Sequence, residues 1–192
     1  MRGRVSAAVV GALLAVLAVP GAARASEQVW ALLKSGGQVV LMRHAITTPG
    51  VGDPPGMRLD DCSSQRNLSD EGRRDARQIG LAFRARGIVV DRVLASPWCR
   101  CLETARLAFG ATEVSPPLGN LYGRPENQTP QVREMQAMVG ERRSGGNLVL
   151  VSHGSTILAL TGVALGSGEM VVVTPQGAGH FAVIGRLSAH GT

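Results

Sequence analysis

The stretch Gln38-Val39-Val40-Leu41-Met42-Arg43-His44 places a compact apolar run directly before an arginine and a histidine. Such a run is typical of a buried β-strand. Two further apolar runs end in the same way: residues 93–95 lead into a helix that carries Arg100, and residues 148–151 lead to His153. In open α/β sheets, ligands bind at the carboxyl ends of the strands, near helix N-termini. We therefore expect these polar residues to lie together at one edge of a sheet.

Predicted helices alternate with the strands along the chain, which predicts an α/β fold: a three-layer sandwich around a largely parallel central sheet. Ser69 is a good N-cap for one helix, and Ser96-Pro97 suits the start of the next. Residues 45–68 and 111–130 are rich in Pro and Gly and lack periodicity, as expected of functional loops. The predicted helices are 26–36, 69–87, 96–108, 131–142 and 155–165, and the last strands are 170–174 and 180–187.

The N-terminal 25 residues have the pattern of a secretory signal peptide. Arginines at positions 2 and 4 precede an apolar run over residues 5–19, and Ala23-Arg24-Ala25 has the form of a cleavage site. The run is short for a membrane span, although an uncleaved anchor is the alternative. We therefore predict a signal peptide over residues 1–25, one domain over residues 26–192, and a periplasmic or secreted protein without stable membrane insertion after cleavage.

Length and charge restrict the classes of partner. The chain of 192 residues is long enough for one ordinary domain. Aromatic residues make up only 3%, which weakens a case for stacking on nucleic-acid bases. Loss of residues 1–25 lowers the formal net charge from +6 to +3, because three arginines leave with them. We therefore predict no nucleic-acid partner, and a phosphate or an anionic sugar is the more natural ligand.

Three cysteines, Cys62, Cys99 and Cys101, would be exposed to an oxidising compartment after export. A disulfide from Cys62 to either of the other two would close a long loop, worth roughly 4 kcal/mol in the chain-entropy model. Free thiols in the core are the alternative. The spacing does not match a zinc site, so no metal is predicted at these cysteines. No cofactor is predicted either.

The residue types at the strand ends suit phosphoryl chemistry. Arginine offers a rigid fork of donors for phosphate oxygens. A neutral imidazole is a competent nucleophile toward phosphorus, and guanidinium charges nearby lower its pKa and keep it unprotonated. Taken singly, each histidine could be a polar residue that caps a strand, and Arg100 could pair with Glu103 on a helix surface. The convergence of the four groups favours a site.

Four motifs in order resemble the signatures of the histidine phosphatase (phosphoglycerate mutase-like) superfamily, in its small exported phosphatase branch. The similarity spans about residues 38–187 and implies a phosphoglycerate mutase-like fold. It also implies that His44 is the phosphorylated nucleophile, and that Arg43, Arg100 and His153 hold the phosphoryl group beside Gly154 and stabilise its transition-state charge. The motifs are Leu41-Met42-Arg43-His44-Ala45, Leu68-Ser69-x-x-Gly72, Ser96-Pro97-Trp98-Cys99-Arg100 with Glu103-Thr104-Ala105, and Val151-Ser152-His153-Gly154.

The sequence departs from the family pattern in two places. Ala45-Ile46-Thr47 follows the histidine where many members have Gly-Glu-Thr or Gly-Gln-Thr, and Asn120 lies where many members have a glutamate proton donor. An alkoxide leaving group needs a proton, so the donor comes from elsewhere or the leaving group is a better one. Asp61 is our preferred donor, because a disulfide at Cys62 could hold it near Arg100. The other candidates in the two long loops are Asp53, Asp60 and Glu126.

The sequence therefore predicts an exported, metal-independent phosphatase that hydrolyses a phosphomonoester through a phosphohistidine at His44. Its partner would be a small phosphorylated substrate or inorganic phosphate. Exported members of the group it resembles include lipopolysaccharide core heptose phosphate phosphatases, so a cell-envelope sugar phosphate is one expected substrate. The alternative is a non-catalytic phospho-ligand-binding protein that retains the phosphate pocket. Turnover of a generic aryl phosphate distinguishes the two.

Overall fold

The computed structural model describes residues 21–188 as one sheet flanked by helices on both faces. Most of the predicted signal peptide, residues 1–20, and the last four residues of the predicted domain lie outside this range. The strands are β1 (Val39–Arg43), β2 (Val90–Ala95), β3 (Glu113–Val114), β4 (Asn147–Ser152), β5 (Met170–Gly177) and β6 (His180–Leu187). The helices are α1 (Gly21–Ser35), α2 (Asp70–Ala85), α3 (Cys99–Phe109), α4 (Gln128–Gly140) and α5 (Gly154–Thr161).

The sheet is mixed, and its parallel part comes first in the chain. The strand order is β3-β2-β4-β1-β5-β6, and the pairs β2–β3, β2–β4 and β1–β4 are parallel. β5 runs antiparallel to both β1 and β6. β5 and β6 are joined by a tight turn, which only antiparallel neighbours permit. The predicted α/β sandwich with a largely parallel sheet is confirmed, with two antiparallel pairings, β1–β5 and β5–β6, at one side.

The alternation of side chains along the central strands divides the core into two layers. Val40 and Met42 face the layer that contains α1, α2 and α3. Val39 and Leu41 face the opposite layer, which contains α4 and α5. All four side chains are fully buried. The sheet is thus covered on both faces, which leaves its edge at the carboxyl ends of the parallel strands for a site.

Two glycines of α2 permit close backbone packing. Ser69 caps the helix as predicted, since its Oγ accepts a hydrogen bond of 3.1 Å from Gly72 N. A Cβ at Gly72 would overlap the carbonyl oxygen of Ile46, two residues after His44. One at Gly80 would overlap a carbonyl oxygen of α3. Gly72 therefore lets α2 pack directly on the segment that follows β1. Gly80 lets α2 pack closely against α3.

Three helix starts differ from the sequence prediction. α1 begins at Gly21 and α4 at Gln128, both earlier than predicted, and Pro130 lies in the first turn of α4, where proline is tolerated. α3 begins at Cys99, so the prediction that Ser96 is its N-cap is wrong. The Ser96 hydroxyl instead contacts a histidine ring, described below.

A disulfide joins Cys62 to Cys99, which are 37 positions apart in sequence. Of the two pairings that the sequence left open, it is the one to Cys99. The bond ties the long loop after β1 to the first residue of α3. Within the described chain Cys101 is the unpaired cysteine, and burial raises the pKa of its thiol to about 12.

Candidate active site

The parallel register of β1 and β4 places two histidines side by side. Arg43 pairs with Ser152 at the last position of the β1–β4 ladder, so His44 and His153 are the residues that directly follow the two strands. The backbone N–H of His44 continues the pairing by donating to Ser152 O at 2.9 Å. The two imidazole rings are 5.4 Å apart between centroids. Both side chains are buried, so they form the floor of a site at the predicted edge of the sheet.

The hydrogen bond of His44 defines which nitrogen can react. Its Nδ1 lies 2.9 Å from the carbonyl oxygen of Ala45. A carbonyl oxygen only accepts, so Nδ1 must carry the proton, and the neutral ring keeps its lone pair on Nε2. The Ala45 peptide is itself fixed, because its N–H donates to Thr104 Oγ1 of α3 at 3.1 Å. The geometry thus provides a neutral imidazole with Nε2 available as a nucleophile.

The surroundings of His44 keep it unprotonated. Burial, together with the positive charges of Arg100, Arg43 and Arg66, lowers the pKa of His44 to about 3, although the hydrogen bond to Ala45 opposes the shift. This agrees with the effect expected from guanidinium charges beside an imidazole.

His153 is held from behind by two side chains. Its Nε2 lies 2.8 Å from Ser96 Oγ and 3.5 Å from Cys101 Sγ. Its Nδ1 lies 3.4 Å from Nη2 of Arg100. Burial and the neighbouring charges, including that of Arg100, lower the pKa of His153 well below its usual value. The ring is therefore neutral and fixed in orientation.

α3 carries Arg100 into the site, where an acidic partner of the long loop binds it. Arg100 is only 1% exposed. Its Nη1 and Nη2 donate to the two carboxylate oxygens of Asp53 at 2.6 and 3.1 Å. Asp53 also accepts from Trp98 Nε1 at 3.0 Å and from the backbone N–H of Arg66 at 3.2 Å. Burial raises the pKa of Asp53, but the hydrogen bonds and charge of Arg100 outweigh it and hold the pKa below its usual value.

Arg66 is a third arginine of the site, which the sequence did not indicate. Its guanidinium donates to Thr47 Oγ1 at 2.6 Å and to Gly52 O at 2.8 Å, and so braces the loop after β1. Arg43 is fixed by a bond of 2.7 Å from Nη1 to Leu165 O. Within residues 21–188, the buried Nε atoms of Arg43 and Arg100 have no hydrogen-bond partner. Donors of this kind are costly to leave unsatisfied, and an oxyanion suits them.

These groups line one cavity of about 410 Å³, which has a charged floor and an apolar mouth. Of the residues predicted to act in the site, five line it: Arg43, His44, Arg100, His153 and Gly154. Val51, Tyr122 and Leu158 line the cavity and are exposed, so they form its mouth, and Ala164 and Leu165 add further apolar lining. Among the described residues that line this cavity, none carries a carboxylate. Three guanidinium groups line the cavity and only that of Arg100 is paired with a carboxylate, Asp53, so the site keeps an excess of positive charge that suits phosphate.

The structure places Asp61 in a different setting from the other predicted residues. It caps a short 3-10 turn, accepting bonds from Ser63 N and Oγ at 3.0 and 2.6 Å, and it pairs with Arg58 at 2.8 Å. The cavity lining does not include it. Asn120 does line the cavity, and its Oδ1 accepts a bond of 2.9 Å from Ser155 Oγ. The prediction that Asp61 donates a proton to the leaving group thus gains no geometric support.

No group of three or more His, Cys, Asp or Glu side chains within the described range is arranged to hold a metal ion. No helix of the part described combines the length and the apolar character needed to cross a bilayer.

Comparisons with known proteins identify similar sequences and folds. Residues 39–121 match the model of the histidine phosphatase superfamily, branch 1. No curated protein sequence matches the chain. The fold is similar to that of the protein histidine phosphatase SixA complexed with tungstate, at 20% identity and a TM-score of 0.55, over 80% of this chain and 97% of that one.

Two further solved structures share this fold. The alpha-ribazole phosphatase from Shigella flexneri is 14% identical with a TM-score of 0.55, over 76% of this chain and 94% of that one. The phosphoserine phosphatase from Entamoeba histolytica, in complex with 3-phosphoglyceric acid, is 14% identical with a TM-score of 0.57, over 79% and 96%. At these identities the similarity establishes the fold, and the residues matched by the family model, 39–121, include Arg43, His44 and Arg100 of the cavity.

Proposed function

We propose that the protein is a phosphatase of the histidine phosphatase superfamily, which hydrolyses a phosphomonoester through a covalent phosphohistidine at His44. The observation that carries the proposal is the fixed tautomer of His44. Its Nδ1 proton is held by Ala45 O, so Nε2 presents a lone pair in a cavity lined by three arginines. The family match over residues 39–121 and the shared fold support the same reaction.

The reaction proceeds in two displacements. Nε2 of His44 attacks phosphorus and forms the P–N bond, while the P–O bond to the leaving group breaks and its electron pair departs with oxygen. Arg43, Arg100 and His153 surround the phosphoryl oxygens and stabilise the charge that develops on them. The phosphorylated ring is cationic, and the hydrogen bond from Nδ1 to Ala45 O stabilises that charge.

Water then attacks phosphorus, the P–N bond breaks, and its electron pair returns to Nε2. The ring leaves as a neutral imidazole, because its Nδ1 proton stays in the hydrogen bond to Ala45 O. The attacking water gives up one proton to solvent as phosphate forms. Phosphate leaves, and the neutral tautomer is restored without any change at Nδ1.

A trapping experiment tests the proposal. Phosphohistidine survives base and not acid, so a rapid base quench with a ³²P-labelled aryl phosphate should leave label on His44. His44→Ala should abolish both label and turnover, whereas His180→Ala, an exposed histidine on β6, is the matched control and should keep them. Activity that survives His44→Ala without label contradicts the mechanism. Phosphate binding without turnover of any aryl ester would favour the non-catalytic binding protein instead.

Export to the periplasm or the medium is part of the proposal. The signal-peptide pattern of residues 1–25 and the disulfide between Cys62 and Cys99 both support it. Cleavage after Ala25 would keep Val29, Trp30 and Leu33 of α1, which are buried in the core. Mass spectrometry of the protein from its native host should find an N-terminus at Ser26. A protein that begins at Met1 in the cytosol contradicts export.

The narrower prediction of a cell-envelope sugar phosphate as substrate is tested by a substrate screen with the purified protein. A sugar phosphate turned over faster than all other esters would support it, and failure of every sugar phosphate in the screen would contradict it. The screen leaves the mechanism untouched, because any phosphomonoester that reacts through His44 satisfies the proposal.

A further inference from the structure

Three exposed apolar side chains converge on the mouth of the cavity. Val51 is 85% exposed, Tyr122 is 60% exposed and Leu158 is 46% exposed, and all three line the same opening. They come from separate parts of the chain: the loop after β1, the segment before α4, and α5. Single exposed apolar residues are ordinary, but a group of them at the rim of a charged cavity indicates a surface that receives a ligand.

The cavity has opposite chemistry at its two ends. The arginines and histidines of the floor suit a phosphoryl group, so the rest of a bound ester must extend toward the apolar mouth. Two polar side chains of the lining, Asn120 and Ser155, are engaged with each other, since Ser155 Oγ donates to Asn120 Oδ1 at 2.9 Å. A sugar would leave its hydroxyl groups facing Val51 and Leu158, whereas an aromatic ring would bury these two side chains. Apolar contact is the recognition that this mouth offers.

The same conclusion follows from the proton that the leaving group needs. None of the side chains lining the cavity, among the residues described, is a carboxylic acid. The nearest acid, Asp53, has a pKa below its usual value and is held as a carboxylate by Arg100, Trp98 and Arg66. An alcohol departs as an alkoxide, whose conjugate acid is about as weak an acid as water. A phenol, like tyrosine, has a pKa of about 10 and leaves as an anion far more easily.

We infer that the substrate is an aryl phosphomonoester, whose ring packs against Val51, Tyr122 and Leu158 and whose phenoxide leaves without protonation by the protein. This inference rests on the proposed function. The bond between phosphorus and the phenolic oxygen breaks as Nε2 of His44 attacks, and the phenoxide takes its proton from solvent.

The first test compares two esters that share a ring and differ in the leaving oxygen. Phenyl phosphate loses phenoxide, and benzyl phosphate loses an alkoxide. General acid catalysis contributes roughly 10²- to 10⁴-fold, so an enzyme without a donor should show kcat/KM for phenyl phosphate at least about 10²-fold above that for benzyl phosphate. Equal values, or a faster benzyl ester, overturn the inference, because the protein would then protonate the leaving group.

The second test addresses the apolar mouth. Acetyl phosphate has a good leaving group and no ring, so the ratio of kcat/KM for phenyl phosphate to that for acetyl phosphate measures recognition of the ring. Leu158→Ser should lower this ratio about 10-fold, as expected for a change in an apolar contact. Leu81→Ser, on α2 and 49% exposed, is the matched control and should leave the ratio unchanged. A ratio that Leu158→Ser does not change overturns the proposed ring contact.

Further substrates identify the source of the aryl group. They also show whether a negative result contradicts the inference alone or the proposed function as well. A phosphotyrosine peptide that reacts faster than 4-methylphenyl phosphate identifies a tyrosine side chain as the source, and the reverse order identifies a free phenol ester; both support an aryl substrate. If acetyl phosphate and benzyl phosphate react through His44 while aryl esters do not, only the inference fails. If no phosphorylated compound reacts through His44, the proposed function fails.

Discussion

Asp53→Asn should destabilise the protein by removing the charge that balances Arg100. The two side chains are 10% and 1% exposed, and the carboxylate receives both terminal nitrogens of the guanidinium. Breaking a buried pair by removing one partner costs about 3–5 kcal/mol, because the other charge stays buried and uncompensated. We expect about 3 kcal/mol, the lower end, because asparagine keeps one acceptor oxygen. For a domain of this size that is a fall in Tm of roughly 6–12 °C.

The assay is thermal and urea unfolding in buffer free of phosphate. Asp61→Asn is the matched control, since that carboxylate lies on an exposed turn and pairs with a largely exposed arginine. Its Tm should change much less. Inorganic phosphate should stabilise both variants, by about 2.7 kcal/mol at 100 times its Kd. A Tm of Asp53→Asn within 2 °C of the wild type would refute the reasoning.

The pair between Asp53 and Arg100 also makes the stability of the protein depend on pH in a defined direction. The folded-state pKa of Asp53 lies below the ordinary value of 3.8, so its ionised pair with Arg100 stabilises the fold fully above that pH. This stability is lost as the pH falls below 3.8 and through the folded pKa. The wild type should therefore lose its advantage over Asp53→Asn in that acid range. An advantage that grows as the pH falls there would contradict the sign.

Three further predictions concern the histidine, the glycines and the disulfide. In the phosphate-free protein, ¹⁵N-detected NMR should show His44 unprotonated at Nε2 down to pH 5, because its pKa lies at about 3. Gly72→Ala should lower kcat/KM for an aryl phosphate by about 10²-fold, because a Cβ there displaces Ile46 beside the nucleophile, whereas Gly80→Ala should mainly lower Tm. Cys62→Ser should lower the free energy of unfolding by up to about 4 kcal/mol in urea, because a closed loop is released.

Each of these has an outcome that contradicts it. A His44 pKa above 6 would mean that burial and the arginine charges do not keep the ring neutral. Equal losses of kcat/KM in Gly72→Ala and Gly80→Ala would mean that the first acts through general stability. Further destabilisation of Cys62→Ser by a reductant would mean that another disulfide forms.

The strand ends of the site could be predicted from sequence because a sheet leaves few choices. Two apolar runs end at polar residues, one at Arg43-His44 and the other at His153. Both must end at the edge of the sheet where parallel strands terminate. The first turn of a helix after a third strand brings Arg100 to the same edge. These placements follow from chain direction and side-chain alternation alone.

The loop residues could not be predicted in the same way. Asp53 and Arg66 lie in the segment between β1 and α2, which has no periodicity, so their contacts depend on the path of the loop. Ser96 followed by Pro97 has the chemistry of a helix N-cap, but the helix starts at Cys99 and the hydroxyl lies against His153. A buried ring that needs a hydrogen-bond partner outweighed the local preference of the sequence. The sequence favours Asp61 as proton donor because of its neighbour Cys62, but the Asp61 carboxylate accepts hydrogen bonds from Ser63 within its own turn.

The register between β1 and β4 has a consequence for how the protein acquires activity. Side chains alternate with a period of two, so a slip of one residue would turn Val40 and Met42 out of their layer and carry His44 out of line with His153. The penalty that prevents this slip is the loss of the core itself. A chain that has folded into the complete sheet has therefore already aligned the two imidazoles. No separate maturation step is needed to bring them together.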